Sequence, residues 1–301
     1  MTTPREIKVA ACAPATYGFV PEAAVPATER MIKGHETDPQ RIREHVDRLL
    51  DHQLRLLGIA AQENPALVVI PEDVLRLAML IGRHGAQPWC ARAIADAHGR
   101  YLERIGQFCR SHACYVAGGT LTCRENRYYN TALLQDPDGQ VIASYDKTHL
   151  PRQPENGESQ FLTPGDDLPV FDTPLGRIGF LICWDILFPE TFEVLALKGA
   201  ELIIHPTFGH AEEWSDILVR CRCRDWSVPL VVSMWGGNAC IVDPEGNLAA
   251  HTGRHPDTVA VATLTLNAPR RFLYMTDTAR QLRDERRPEL YTRIANRNTP
   301  G

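Results

Sequence analysis

Two long stretches with apolar residues at helical spacing stand among short β-branched runs, and this alternation narrows the chain to an α/β layered fold. Gln40–Gln62 carries Ile42, Val46, Leu49, Leu50, Leu54 and Leu57 at helical intervals, and Ala93–Ser111 is a second amphipathic stretch. Ile7–Ala11, Leu67–Ile70, Cys114–Gly118, Glu201–His205, Leu230–Met234, Ala239–Val242 and Thr258–Leu264 read as strands. Asp136-Pro137-Asp138-Gly139 and Thr173-Pro174-Leu175-Gly176 are turn sequences. Tyr128–Gln135 with Gln140–Tyr145, and Val170–Asp172 with Arg177–Ile182, therefore read as hairpins. Glu190–Lys198 and Trp214–Cys223 are shorter helices. Hairpins interleaved with strand–helix units call for mixed sheets rather than a purely parallel doubly wound one. No linker or low-complexity run divides the chain, so 1–270 is expected to form one domain and the polar 271–301 a tail. The Pro/Gly-broken stretch 13–38 reads as a long loop, either over a pocket or at an interface.

Charge and cysteine usage exclude several classes. Net charge is −5 with basic residues scattered, which gives no nucleic-acid footprint. The start has no apolar signal core, and runs such as Ala66–Pro71 and Ile178–Cys183 are too short to span a bilayer. Nine dispersed cysteines, an odd number, fit a reducing compartment, so the expected location is cytoplasmic with no membrane partner. Cys221-Arg-Cys223 lacks the usual zinc spacing and has no matching second pair, so no metal is expected there.

Three polar residues each follow an apolar strand, where a rigid scaffold can position a reactive group. Glu72 follows Leu67-Val68-Val69-Ile70-Pro71; a carboxylate at such a mouth is expected to have a raised pKa and to serve as a base. Lys147 follows Val141–Tyr145, and its ammonium suits a developing oxyanion and would help keep a nearby thiolate ionised. Cys183 ends Ile178–Cys183 and leads through Trp184 to Pro189, a strand–turn–helix junction that can expose a thiol. Taken singly, a surface acid, an edge lysine and a buried cysteine are ordinary structural residues. Three in this order, at three strand ends, form a constellation.

The stretches LVVIPED around Glu72, YYNTALLQDPDGQVIASYDKTHL leading to Lys147, and ESQFLTPGDDLPVFDTPLGRIGFLICWDILFPE around Cys183 closely resemble the nitrilase, or carbon–nitrogen hydrolase, superfamily. HPTFG at 205–209 and IVDPEGN at 241–247 add to the resemblance, which runs from Ile7 to about Leu264. It implies a four-layer αββα sandwich with mixed sheets, a Glu72–Lys147–Cys183 triad, and no metal or organic cofactor. It also implies homo-oligomers, dimeric or higher, packed through the helix after Cys183, with the segment Arg286–Tyr291 reaching to a partner. A second glutamate common in the family matches Glu158, read as positioning Lys147 or the substrate amine; Glu155 is the weaker candidate. Trp184, Phe188, His205, Phe208, His210 and Trp235 are candidate pocket residues.

CWDILFPE looks more like the amidase and N-carbamoyl-hydrolase branches than the true nitrilases. Leu187 stands where many amidase-like members carry an arginine for a carboxylate, which argues against an acidic substrate tail. The expected reaction is hydrolysis of a small linear amide or N-carbamoyl amine through a Cys183 thioester, releasing ammonia. A nitrilase acting on a small nitrile is the near alternative. A catalytically silent binding module of the same fold, and a zinc or redox protein, are the alternatives of other classes.

Overall fold

The computed structural model describes residues 3–15, 37–84, 87–152, 157–209, 213–269, 277–292 and 294. Most of the loop at 13–38 lies outside them, as do His210 and Glu155. In chain order the elements are β1 (Arg5–Ala13), α1 (Pro39–Ala61), β2 (Leu67–Val69), α2 (Ala78–His84), α3 (Pro88–His112), β3 (Tyr115–Arg124), β4 (Arg127–Gln135) and β5 (Val141–Asp146). There follow β6 (Val170–Thr173), β7 (Gly176–Phe180), α4 (Pro189–Leu197), β8 (Leu202–Thr207), α5 (Glu213–Trp226), β9 (Leu230–Met234), β10 (Cys240–Val242), β11 (Leu248–His251), β12 (Thr258–Leu266) and α6 (Thr278–Asp284). The start of α1 is set locally: Asp38 accepts from the Gln40 N–H at 2.9 Å and Pro39 fills the first turn.

Two six-stranded mixed sheets stack face to face, ordered β12-β1-β2-β3-β4-β5 and β11-β10-β9-β8-β7-β6. Strand alternation splits the apolar residues into three layers. Ala10, Cys12, Val68 and Ile70 turn outward against Ile42, Val46 and Leu50 of α1 and Ile94, Tyr101 and Ile105 of α3. Val9, Ala11, Leu67 and Val69 turn inward and meet Ile178, Phe180, Leu202 and Ile204 of the second sheet. On the far side, Leu181, Ile203 and Val232 pack with Phe192 and Leu195 of α4 and Val219 of α5. This is the expected αββα sandwich. The last strand, β12, returns to pair antiparallel with β1 along its whole length, from Arg5↔Leu266 to Ala13↔Thr258.

α2 and β11 were not expected, and β3 runs well past Gly118, where it was expected to end. Gly118 and Gly119 look like strand breakers, but here each makes room. A Cβ at Gly118 would lie 2.2 Å from Ile70 Cγ1, and one at Gly119 would lie 2.7 Å from Glu72 Cα. β3 then turns at Glu125-Asn126, both left-handed (φ 52° and 60°), into β4. Within the segment read as a tail, Arg286 pairs with Glu193 of α4 at 2.5 Å in the same chain.

Candidate active site

The parallel strands bring their C-terminal ends to one rim. β2 runs parallel to β1 and β3, and β7, β8 and β9 run parallel to one another. Glu72 leaves the end of β2, Lys147 the end of β5, and Cys183 follows β7. Lys147 Nζ lies 2.8 Å from Glu72 Oε1 and 2.7 Å from Glu158 Oε2. Lys147 is 1% exposed and Glu72 3%, so this pair is out of water. Glu72 is held on every side. Asn130 Nδ2 donates to Oε1 at 2.7 Å and the Phe208 backbone N–H to Oε2 at 2.7 Å. The Trp235 indole donates to the Glu72 carbonyl at 2.7 Å. Two of these holds come from the second sheet, so the carboxylate is fixed from both halves of the sandwich.

Cys183 has left-handed backbone (φ 46°), an uncommon state for a non-glycine residue, and opens a 3-10 turn, Cys183–Leu187, before α4 begins at Pro189. The turn sets the thiol at the strand end, packed against the inner layer of the sandwich. Asp185 fixes that turn. It accepts from its own Ile182 N–H at 2.9 Å, Tyr145 Oη at 2.7 Å, Thr148 Oγ1 at 3.0 Å and the His149 N–H at 2.9 Å. His149 Nδ1 lies 3.1 Å from the same carboxylate. The segment carrying Lys147 is thereby tied to the turn carrying Cys183.

Two electrostatic expectations are corrected. Burial alone would raise Glu72, but the Lys147 ammonium and the hydrogen bonds from Phe208 and Asn130 outweigh it and hold the carboxyl below its ordinary range. Burial would lower Lys147, but the charges of Glu72, Cys183 and Glu158 raise it well above its ordinary value. The Cys183 thiol is not kept ionised. Burial, reinforced by the Glu72 charge, pushes it up to about 12 against the opposing pull of Lys147 and the Thr207 hydroxyl. The resting state is therefore a neutral thiol beside an ionised carboxylate and a fixed ammonium. Glu158 is raised to about 7, because burial outweighs Lys147 and the nearby Glu72 charge adds to it.

Among the pocket candidates, Trp184 and His205 line a cavity of about 30 Å³ together with Cys183, Leu187, Thr207 and Met234. The His205 ring is buried, with Nδ1 2.9 Å from the Leu181 carbonyl. Phe188 goes elsewhere: it is 36% exposed and stacks on His149 at 4.1 Å between centroids. Phe208 and Trp235 contribute their N–H groups to Glu72 rather than walls to that cavity. Asn130, Asp185 and Thr207 were missed. Asn130 carried a legible signal, a carboxamide in the middle of the apolar strand Tyr128–Gln135; Thr207 carried none. Among the described residues no cluster of His, Cys, Asp and Glu is placed to hold a metal ion.

Known proteins with the same plan extend over the whole sandwich. The chain is 30% identical to the omega-amidase NIT2-A of Xenopus laevis over 275 residues, 83% of this chain and 93% of that one. It is 32% identical to the N-carbamoylputrescine amidase of Solanum lycopersicum over 196 residues, 55% of this chain and 63% of that one. Its fold superposes on a carbon–nitrogen hydrolase from Helicobacter pylori G27 with a TM-score of 0.72 at 18% identity, covering 98% and 100% of the two chains. The family model for carbon–nitrogen hydrolases matches residues 8–272, from within β1 to beyond β12. A match that takes in both sheets and every residue gathered at their common rim makes this chain a member of the carbon–nitrogen hydrolase family.

Proposed function

We propose that this hydrolase cleaves the C–N bond of a small linear amide or N-carbamoyl amine through a thioester on Cys183 and releases ammonia. The observation that carries the reading is the buried Glu72–Lys147–Glu158 chain set against the Cys183 thiol. The amidase names of the sequence relatives support the same substrate class.

The charge states fit general-base activation rather than a standing thiolate. As the sulfur attacks the carbonyl carbon, Glu72 takes the thiol proton and the C–S bond forms. The carbonyl oxygen becomes an oxyanion beside the Lys147 ammonium, with the Trp184 backbone N–H as second donor. Collapse breaks the C–N bond, and Glu72 returns its proton to the leaving nitrogen, which departs as ammonia. Water then adds to the thioester, Glu72 accepts its proton, the C–S bond breaks, and the sulfur recovers a proton. The product is a carboxylic acid, or a carbamate that loses carbon dioxide to leave an amine. Glu158 orients Lys147 throughout.

Ammonia release should be followed on small amides, N-carbamoyl amines and the matching nitriles. Cys183→Ala should abolish turnover, and Glu72→Gln should lower kcat by on the order of 10²- to 10⁴-fold, the usual cost of losing a general acid–base. Unaltered turnover in Cys183→Ala would sink the thioester route. A nitrile preferred over its amide would move the chain to the nitrilase reading, and no turnover of any class with Cys183 alkylated no faster than the other eight cysteines would favour the binding module. We also read residues 1–270 as the catalytic domain and 271–301 as a tail. We read the chain as a cytoplasmic homo-oligomer. None of the nine cysteines is in a disulfide, and no helix among the described residues is long and apolar enough to cross a membrane. Leu197 of α4, Ile217 of α5, and Leu290 and Ile294 beyond them are exposed and apolar.

A further inference from the structure

The cavity beside the nucleophile carries a polar group that the proposed reaction does not use. Its walls include Cys183, His205 and Thr207 of β8, Met234 of β9, and Leu218 and Val219 of α5. The Thr207 hydroxyl bonds the Cys183 sulfur. The His205 ring is 2% exposed, with Nδ1 turned to the Leu181 carbonyl at 2.9 Å. A carbonyl only accepts, so Nδ1 carries the hydrogen. Burial lowers the ring below its ordinary 6.5 and outweighs the charges of Asp185 and Glu72, which raise it; that of Lys147 lowers it further. The imidazole is therefore neutral at physiological pH, and Nε2 keeps its lone pair.

Nε2 is the ring nitrogen turned away from Leu181. Among the described residues nothing donates to it, and it is not one of the polar atoms closed off without a partner. It is an acceptor presented to the cavity, most of whose other walls are apolar. A buried acceptor left unmet is costly, so a donor that enters with the substrate would gain from meeting it. Leu187 on the same wall is apolar and offers nothing to an anion, so that donor belongs on a neutral group.

On attack the groups around the carbonyl carbon take separate directions. The oxygen meets Lys147 and the Trp184 N–H, and the leaving nitrogen faces Glu72, which returns its proton. Neither Glu72 nor Lys147 is a wall of the cavity, whereas Cys183 is. The cavity therefore receives the substituent that stays on the carbon. In an N-carbamoyl amine that substituent begins with an N–H, two bonds from the sulfur once the C–S bond has formed. In the matching amide the same place is a methylene, which donates nothing. Resting on the hydrolase reading above, we propose that His205 Nε2 accepts a hydrogen bond from this N–H, so that His205 sets specificity and the preferred substrate is the N-carbamoyl amine rather than the simple amide.

The test compares ethylurea with butanamide, which match in length and differ only in N–H against methylene beside the carbonyl. Their carbonyls differ in intrinsic reactivity, so the readout is how a substitution changes the ratio of the two. His205→Leu removes the acceptor, and His205→Gln keeps one in its carboxamide oxygen. In His205→Leu the loss of kcat/KM on ethylurea should exceed the loss on butanamide by about 5- to 150-fold, the range for leaving a buried hydrogen-bonding group unpaired. His205→Gln should recover part of that excess. Wild type gives a second reading that needs no variant to fold. Methylating the ethyl-bearing nitrogen of ethylurea should lower kcat/KM by more, in the same range, than adding a methyl at the matching carbon of butanamide. Calorimetric binding of ethylurea to Cys183→Ala, which needs no turnover, should weaken by a similar factor when His205→Leu is added, and binding of butanamide should weaken less. That measurement separates failure of this proposal from failure of the hydrolase reading. Equal losses on both substrates in His205→Leu, an equal cost of the methyl group on both, or an ethylurea affinity unchanged by His205→Leu would overturn it.

Discussion

Glu158 is the member of the site whose charge changes within the physiological pH range. It is 21% exposed on its side chain, touches Lys147, and is raised to about 7 by burial and the neighbouring Glu72 charge. Below that pH the carboxyl is neutral and Lys147 loses one of its two anionic holds. The kcat/KM profile of wild type should therefore fall as pH drops through about 7, and Glu158→Gln should lack that limb while being slower above it. Stability must run the other way. The folded value lies above the ordinary 4.5, so the native state holds the proton more tightly than the unfolded chain does. That contribution is full below about 4.5 and is lost as pH rises through about 7. Urea denaturation at pH 5 and pH 8 should thus show wild type losing stability relative to Glu158→Gln at the higher pH, whereas a constant difference would deny the shift. At this scale the sequence was informative where a polar residue ends an apolar run, as at Glu72, Lys147 and Cys183. It was silent on the Phe208 and Trp235 N–H groups, which reach Glu72 only because β8 and β9 end at the same rim.

The element that most limits the site is β3. Its Gly119 faces the Glu72 loop directly: the Gly119 N–H donates to the Pro71 carbonyl at 2.9 Å, and the Val74 N–H donates to the Gly119 carbonyl at 2.9 Å. A Cβ there would meet backbone, Glu72 Cα at 2.7 Å and Asp73 N at 2.9 Å, and backbone cannot swing aside as a side chain can. Gly119→Ala should move Glu72 and lower kcat/KM by on the order of 10²-fold, the cost of a misplacement near 1 Å. Gly99, exposed within α3, is the control. A Cβ there meets nothing within 4 Å, so Gly99→Ala should raise stability by about 0.5–1 kcal/mol and leave activity alone. Melting curves beside initial rates separate the two variants, and a fully active Gly119→Ala would refute the packing argument. The long helices and both Pro-Gly hairpins were legible because periodicity and turn chemistry are local signals. β3 was cut short because a glycine pair reads as a break until one knows what backbone passes beside it. α2 and β11 are too short for periodicity to register.

At the scale of the molecule, the layer order came from family resemblance. Periodicity gave the strands, but no local pattern says that β12 lies beside β1 or that β6 and β5 end up in different sheets. The exposed apolar residues of α4 and α5, with Leu290 and Ile294, lie on the outside of the second sheet's helical layer. An interface there would cover them, and light scattering at micromolar concentration should give a mass of at least twice 33.7 kDa. A monomeric mass would refute the oligomer. The pairing of β1 with β12 has a further effect during synthesis. β1 leaves the ribosome long before its partner β12. Until Thr258–Leu266 has been translated, one edge of β1 stays unpaired, although β2 to β5 and their helices can already collect beside it. A nascent chain in that state exposes a template for strand addition by another chain. Shielding by a chaperone, or a pause in translation, would matter most for this protein in the interval between completion of its first half and arrival of its final strand.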